Sequence, residues 1–164
     1  MAAAIVTYSA TGTCAEPESR PETRLGASGD WEFFTTVDDE QRTCYAGTGN
    51  GSREPDTAPR TWLLLSKRTS QNEPHVVSVE HADKFQVGST LNVRVGSQQF
   101  VLYTQGNTAW TVDAVSDRRL VGAMRNNQEL RITGRGAGAP IEARFSLRGF
   151  ENAYRAVVET CETN

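Results

Sequence analysis

No window of the 164 residues approaches the roughly 18 to 20 consecutive apolar side chains that a helix needs to cross a bilayer, so no transmembrane helix is expected. Cysteine is scarce. Cys14, Cys44 and Cys161 are the only three, and none forms a C-x-x-C pair, which argues against a structural zinc site and a thioredoxin-type motif. Histidine is scarcer still: His75 and His81 would sit about 20 Å apart on one strand, too far to share a metal, and read as exposed strand-end side chains. No metal ligand and no cofactor are expected. Only two of the 17 basic residues are lysine, and the net charge is −3, which argues against a general nucleic-acid binder. The arginine bias suits anion recognition by guanidinium forks, although a GC-rich coding sequence produces the same composition. Hydrolase and phosphate-loop signatures are also missing. Ser28 in "GASGD" lacks the G-x-S-x-G spacing, and "GRGAGAP" at 134–140 joins two strands instead of opening a helix.

What is present describes one soluble domain. A 37% hydrophobic and 23% charged composition is ordinary for a globular chain, and 164 residues can bury a substantial core. Charge is uneven: seven basic against twelve acidic side chains in 1–82, then ten against eight in 83–164. Residues 1–29 read as a flexible leader. They lack the basic start and long apolar stretch of a complete signal peptide, while "AAAIV" is consistent with the remnant of one. The domain itself is expected over 30–164.

From Trp31 onward the chain reads as short strands. "DWEFFTT" and "QRTCYAG" flank the acidic turn "VDDE" as a hairpin. "TGNGSREPDTAP" at 48–59 is a surface loop, and its Asn50-Gly51-Ser52 sequon reads as a chance match. "TWLLLSKR" and "HVVSVEH" are buried-strand candidates. Leu91, Val93 and Val95 alternate with Asn92 and Arg94, and Gly96-Ser97 turns that strand into the next. Ile141, Ala143, Phe145 and Leu147 alternate with Glu142, Arg144, Ser146 and Arg148, a strand with one buried and one wet face. In "FENAYRAVVETC", Phe150, Ala153, Tyr154, Val157, Val158 and Cys161 recur as the stripe of an amphipathic helix. About eight strands and two short helices without βαβ alternation give a mainly β fold. An antiparallel β-sandwich or barrel-like domain is expected, with a short inserted helix and a C-terminal amphipathic helix.

"TAWTVDAVSDRRLVGAMRNNQELRITG" at 108–134 concentrates the candidate site residues. Trp110 ends a core strand, Ser116 is placed to cap a short helix, and Asp117 sits near its positive end. Leu120, Val121 and Met124 form the apolar side of that helix, leaving Arg118, Arg119 and Arg125 outside. Trp110 and these three arginines are the binding candidates. Asp113 and Asp117 are the only carboxylates that a catalytic reading could use, and no cleft in the sequence supports that use. No catalytic residue is assigned. Two readings of Cys44 and Cys161 stay open. Paired, they close a 117-residue loop, worth on the order of 4–5 kcal/mol in the chain-entropy model, and imply an oxidising compartment. Unpaired, they are two buried thiols.

With these pieces in order, the chain resembles the invasion-associated locus B family of alphaproteobacterial secreted or periplasmic proteins. The resemblance rests on Trp31 with "CYAG" at 44–47, "VSVEHADKFQVGSTLNVRVGSQQFVLYTQGNTAW" at 77–110 and "DRRLVGAMRNNQELRITGRGAG" at 117–138. "FSLRGFENA" at 145–153 and Cys161 complete it. It implies an exported all-β domain without a known catalytic activity, and a structural role for Cys44 and Cys161. Departures are the missing full signal peptide and the extra cysteines that some members carry. The function expected is a non-catalytic binding protein of the bacterial envelope, periplasmic or secreted, whose partner is a protein or envelope component. A structural subunit of an envelope assembly, or a small enzyme using Asp113 and Asp117, are the alternatives.

Overall fold

The computed structural model describes residues 22–38, 41–50, 61–69 and 75–162. Among these residues ten strands form one antiparallel sheet: β1 (Glu22–Ser28), β2 (Trp31–Asp38), β3 (Gln41–Asn50), β4 (Thr61–Arg68), β5 (Val76–His81), β6 (Thr90–Val95), β7 (Gln98–Gln105), β8 (Thr108–Trp110), β9 (Glu129–Arg135) and β10 (Pro140–Ser146). Helix α1 (Ala114–Arg125) follows β8, and α2 (Phe150–Glu162) follows β10. Strands β1 to β5 run as a meander. The next three double back, so that β8 pairs with β5 and β9 pairs with β6, giving the order β1-β2-β3-β4-β5-β8-β7-β6-β9-β10.

Alternation in the sequence sets which face is buried. In β6 and β10 every second side chain is inside, so Leu91, Val93, Val95, Ile141, Ala143 and Phe145 enter one core. The sheet curls until its ends approach, but β1 and β10 do not pair and the sheet stays open. Trp31 holds this junction: its ring packs 4.8 Å from Phe150 and its indole N–H donates to the Ser146 carbonyl at 3.1 Å. Helix α2 lies over β2, β3 and β4 with Phe150, Ala153, Val157 and Cys161 buried, while α1 packs on β5, β6 and β7 through Leu120, Val121 and Met124. Each fully buried Leu, Met or Phe stabilises the fold by about 1.5–3 kcal/mol. Cys44 and Cys161 are bonded as a disulfide, with Cα atoms 6.0 Å apart, tying the last turn of α2 to β3.

The structure departs from the sequence reading at several points. Residues 22–28, expected in the leader, form β1 and pair with β2. Their side chains are mostly exposed, so no buried face marks them as a strand; the ladder with β2 and a bulge between Arg24 and Gly26 define it. Residues 48–50, expected in a loop, complete β3. The remainder of that loop, the end of the sequon, Cys14 and "AAAIV" lie outside the described residues. His75 and His81 are buried, not exposed, because the ends of β5 tuck under α2 and the 82–85 turn respectively. Trp110, expected at the end of a core strand, is 36% exposed on the outer face, since Ala109 takes the inward position of β8.

Candidate functional site

Asp113 and Asp117 each serve the placement of α1. Asp113, not Ser116, caps α1: its side chain accepts from the Ser116 N–H at 2.7 Å. These backbone donors, chiefly that of Ser116, hold the exposed Asp113 carboxyl below its ordinary range. Asp117 is buried and accepts from the Val77 N–H at 2.8 Å, so it docks α1 onto β5 beyond any effect on the helix end. The two acids do not face a common cleft.

The four expected binding residues are not brought together. Arg125 forms a two-pronged pair with Glu151 on α2, its Nη2 2.9 Å from Oε1, and its guanidinium lies 5.1 Å from the centre of the Tyr154 ring. Both contacts join α1 to α2. Arg119 lies 5.9 Å over the Phe100 ring, and Arg118 is exposed on the same helix. Trp110 points away from all three, because α1 turns its apolar side to the core while Trp110 stands on the outer face of the sheet.

Trp110 instead belongs to an aromatic surface that the sequence reading passed over. Registers place Gly47, Leu64, Ser78, Trp110 and Tyr103 opposite one another across β3, β4, β5, β8 and β7 on the outer face. Beside this row lie Gly49, Trp62 and Glu80 on one side and Tyr45 and Ser66 on the other. Thr43, Tyr45, Trp62, Leu64, Ser66, Ser78 and Glu80 line a shallow trough of about 550 Å³. Two glycines of β3 lie beneath its side chains. A Cβ on Gly47 would come within 2.7 Å of Leu64 Cδ2, and one on Gly49 would touch the Trp62 indole at 3.5 Å. Leu64 and Trp62 therefore lie down over bare backbone of β3 and leave their flat sides outward. Phe34 stacks on Tyr45 at 5.3 Å with a 20° interplanar angle, extending the ring surface onto β2. Burial, and then the neighbouring Glu22 carboxylate, push the Tyr45 phenol up from its ordinary value, so it stays a neutral hydroxyl at any physiological pH.

The arrangement offers rings for stacking, two serine hydroxyls, a phenol and the Glu80 carboxylate, which is the chemistry of recognition. Tyr103 is 57% exposed, so the surface is open to a partner at its β7 end. A signal for it existed in "TWLLLSKR": an apolar run on successive residues marks a strand with apolar groups on both faces. Only the inward face of β4, with Leu63 and Leu65, is covered by the core. Among the described residues, no group of three or more His, Cys, Asp or Glu is placed to hold a metal ion.

No protein-family model and no curated protein matches the sequence. Among solved structures, the crystal structure of invasion-associated protein B from Bartonella henselae is similar, with a TM-score of 0.61 and 16% sequence identity over 82% of this chain and 94% of that one. The β-rich fold expected from the family resemblance is therefore the one observed. This chain shares its architecture, an open antiparallel sheet with an inserted and a C-terminal helix, with invasion-associated protein B.

Proposed function

We propose that the protein is a non-catalytic binding module that works outside the cytoplasm, in the periplasm or beyond it, and holds an envelope component or protein through the aromatic trough. The observation that carries this reading is the outer face of β3–β5, β8 and β7, where Tyr45, Trp62, Leu64, Trp110 and Tyr103 stand partly exposed on a rigid sheet. Aromatic side chains bury large area at low entropic cost and dominate binding surfaces. The Cys44–Cys161 bridge supports an oxidising compartment, and the shared fold with invasion-associated protein B supports an envelope role. Asp113 and Asp117 are engaged in capping and docking α1, which supports a role other than turnover.

A photo-crosslinking side chain at Trp110 or Tyr103, introduced singly into the protein in its own cells, tests the reading. One defined adduct is expected from both positions and none from Val87, which is 99% exposed on a distant turn. W62A should weaken the adduct without unfolding the domain. Equal labelling from Val87, or no adduct at either aromatic position, refutes a binding role for the trough.

A further inference from the structure

A second surface lies on the other half of the sheet. The register of β6 with β9 sets Arg94 directly opposite Arg131, and that of β9 with β10 sets Arg131 opposite Arg144. All three side chains are exposed on the outer face, because their neighbours Val93, Ile132, Ala143 and Phe145 fill the core. Directly opposed side chains on neighbouring strands have Cβ atoms about 5 Å apart, and like charges in such pairs destabilise a sheet. Arg131 is ion-paired with Glu129 on its own strand. Arg94 and Arg144 have no ion-pair partner among the described residues. A row of three guanidiniums therefore crosses the sheet with one carboxylate in direct contact, in a protein whose net charge is −3. A local rule broken with only partial compensation inside the fold singles out a candidate functional surface.

We infer that the Arg94–Arg131–Arg144 row is a binding site for a linear polyanionic glycan, one bearing sulfate, phosphate or carboxylate groups along its length. Strands are spaced by about 4.8 Å, so the outer two arginines are about 10 Å apart and present a line of positive charge across β6, β9 and β10. Guanidinium forks match carboxylate, sulfate and phosphate oxygens in pairs. Shallow depressions of about 350 and 330 Å³ each have Arg94 and Arg131 in their walls, and a third of about 410 Å³ has Arg131 and Arg144. The groups beside the row are hydrogen-bonding side chains, Gln99 opposite Arg94 with Asn92 and Thr133 on the next rung, where Glu142 adds a carboxylate at the β10 end. Such a floor suits sugar hydroxyls between the charges.

Other polyanions fit less well. Among the described residues, Val101 is the one exposed large apolar side chain bordering the row, and one such group falls short of the apolar wedge that seats a protein in a bilayer interface. Among the described residues no aromatic ring adjoins the arginines; Tyr103 lies four residues along β7 from Gln99, about 13 Å. Single-stranded nucleic acid binding depends on rings beside the basic groove.

Immobilised dextran sulfate, with uncharged dextran, anionic phospholipid vesicles and oligo(dT) as parallel arms, tests the site on the full oxidised chain. The protein should bind dextran sulfate in a salt-dependent way and ignore uncharged dextran. R94Q/R144Q should weaken binding by on the order of tenfold or more and lower the slope of log affinity against log salt by about two. The charge-matched control R118Q/R119Q on α1 should retain affinity within about threefold. R94Q/R144Q should melt at or above the wild-type temperature because a like-charge opposition is relieved, and R118Q/R119Q slightly below it because the Arg119–Phe100 contact is lost, so a folding defect is separable from a binding defect. Absence of dextran sulfate binding, an equal loss in the control, or tighter binding to vesicles or oligo(dT) overturns the proposal.

Discussion

Removing the bridge between Cys44 and Cys161 is the sharpest test of how this fold is held. The two residues are 117 positions apart, so the bond closes a loop of almost the whole described domain. In the chain-entropy model a loop of this length restricts the unfolded chain by about 16 cal/mol/K, or about 5 kcal/mol at 25 °C. Folded domains are stable by only about 5–15 kcal/mol, so the bridge supplies a third or more of the total. The double variant C44A/C161A also loses two buried sulfurs from the core, while Phe150, Ala153 and Val157 keep α2 packed. A net loss of about 5 kcal/mol or more is expected in equilibrium urea unfolding. With a slope of about 2 kcal/mol/M, the midpoint falls by about 2.5 M. The slope should rise slightly, because an uncrosslinked unfolded chain exposes more surface. In the oxidised wild type unfolded without reductant, at most one of the three cysteines should titrate. A midpoint shift below about 0.5 M, or two titratable thiols in the oxidised protein, refutes the reasoning.

His75 is buried against Tyr154 with no hydrogen-bond partner on either ring nitrogen among the described residues, and burial, followed by Arg118 and Lys67, lowers its pKa to about 4. Below the unfolded value of about 6.5 the unfolded chain takes up a proton that the folded one refuses, so stability falls as pH drops from 6.5 towards 4. Allowing for solvent screening, the loss is about 2 kcal/mol; H75F should flatten the pH dependence in that window, and an unchanged profile would contradict the assignment. Gly149 has φ +91°, and a Cβ there would lie 2.0 Å from the Ser28 carbonyl oxygen, so G149A should cost at least about 3 kcal/mol in thermal unfolding. G106A, with φ +61° and open space, should cost about 1 kcal/mol, and equal losses would show that the clash is not real. D117A strands the buried Val77 N–H and should cost about 2 kcal/mol, whereas D117N keeps an acceptor and should cost less than half as much. Equal losses would place the energy in the charge instead of the hydrogen bond.

Periodicity made most of the elements readable. Strands β6 and β10 and helix α2 follow their sequence patterns nearly residue for residue, because each buries one face and polar side chains fill the other, while β4 was readable from its continuous apolar run. Strand β1 was not readable, since an edge strand with exposed side chains owes its form to the partner ladder and not to its own composition. The cap of α1 is Asp113 and not Ser116 because the helix begins at Ala114, where the Asp113 carboxylate meets the Ser116 N–H. Buried His75 and His81 were misread for a related reason: burial at the ends of β5 depends on α2 and on the turn after β5, both distant from local pattern or formed by it only weakly.

The sequence by itself determined the fold class, the inward faces and the pair of helices, because hydrophobic periods of 2 and 3.6 residues are local properties of the chain. It also placed Cys161 on the packed side of α2. Tertiary structure alone decided that Cys161 meets Cys44, that Gly29 and Gly149 press two turns together, and that the arginines of α1 brace helices or stand apart from Trp110. It decided the two candidate surfaces as well. Trp110 joins Leu64 and Tyr103, and Arg94 joins Arg131 and Arg144, through registers between strands far apart in sequence. Strand order and register are set by the long-range fit of one core, and no local pattern encodes which outward side chains that fit will bring face to face.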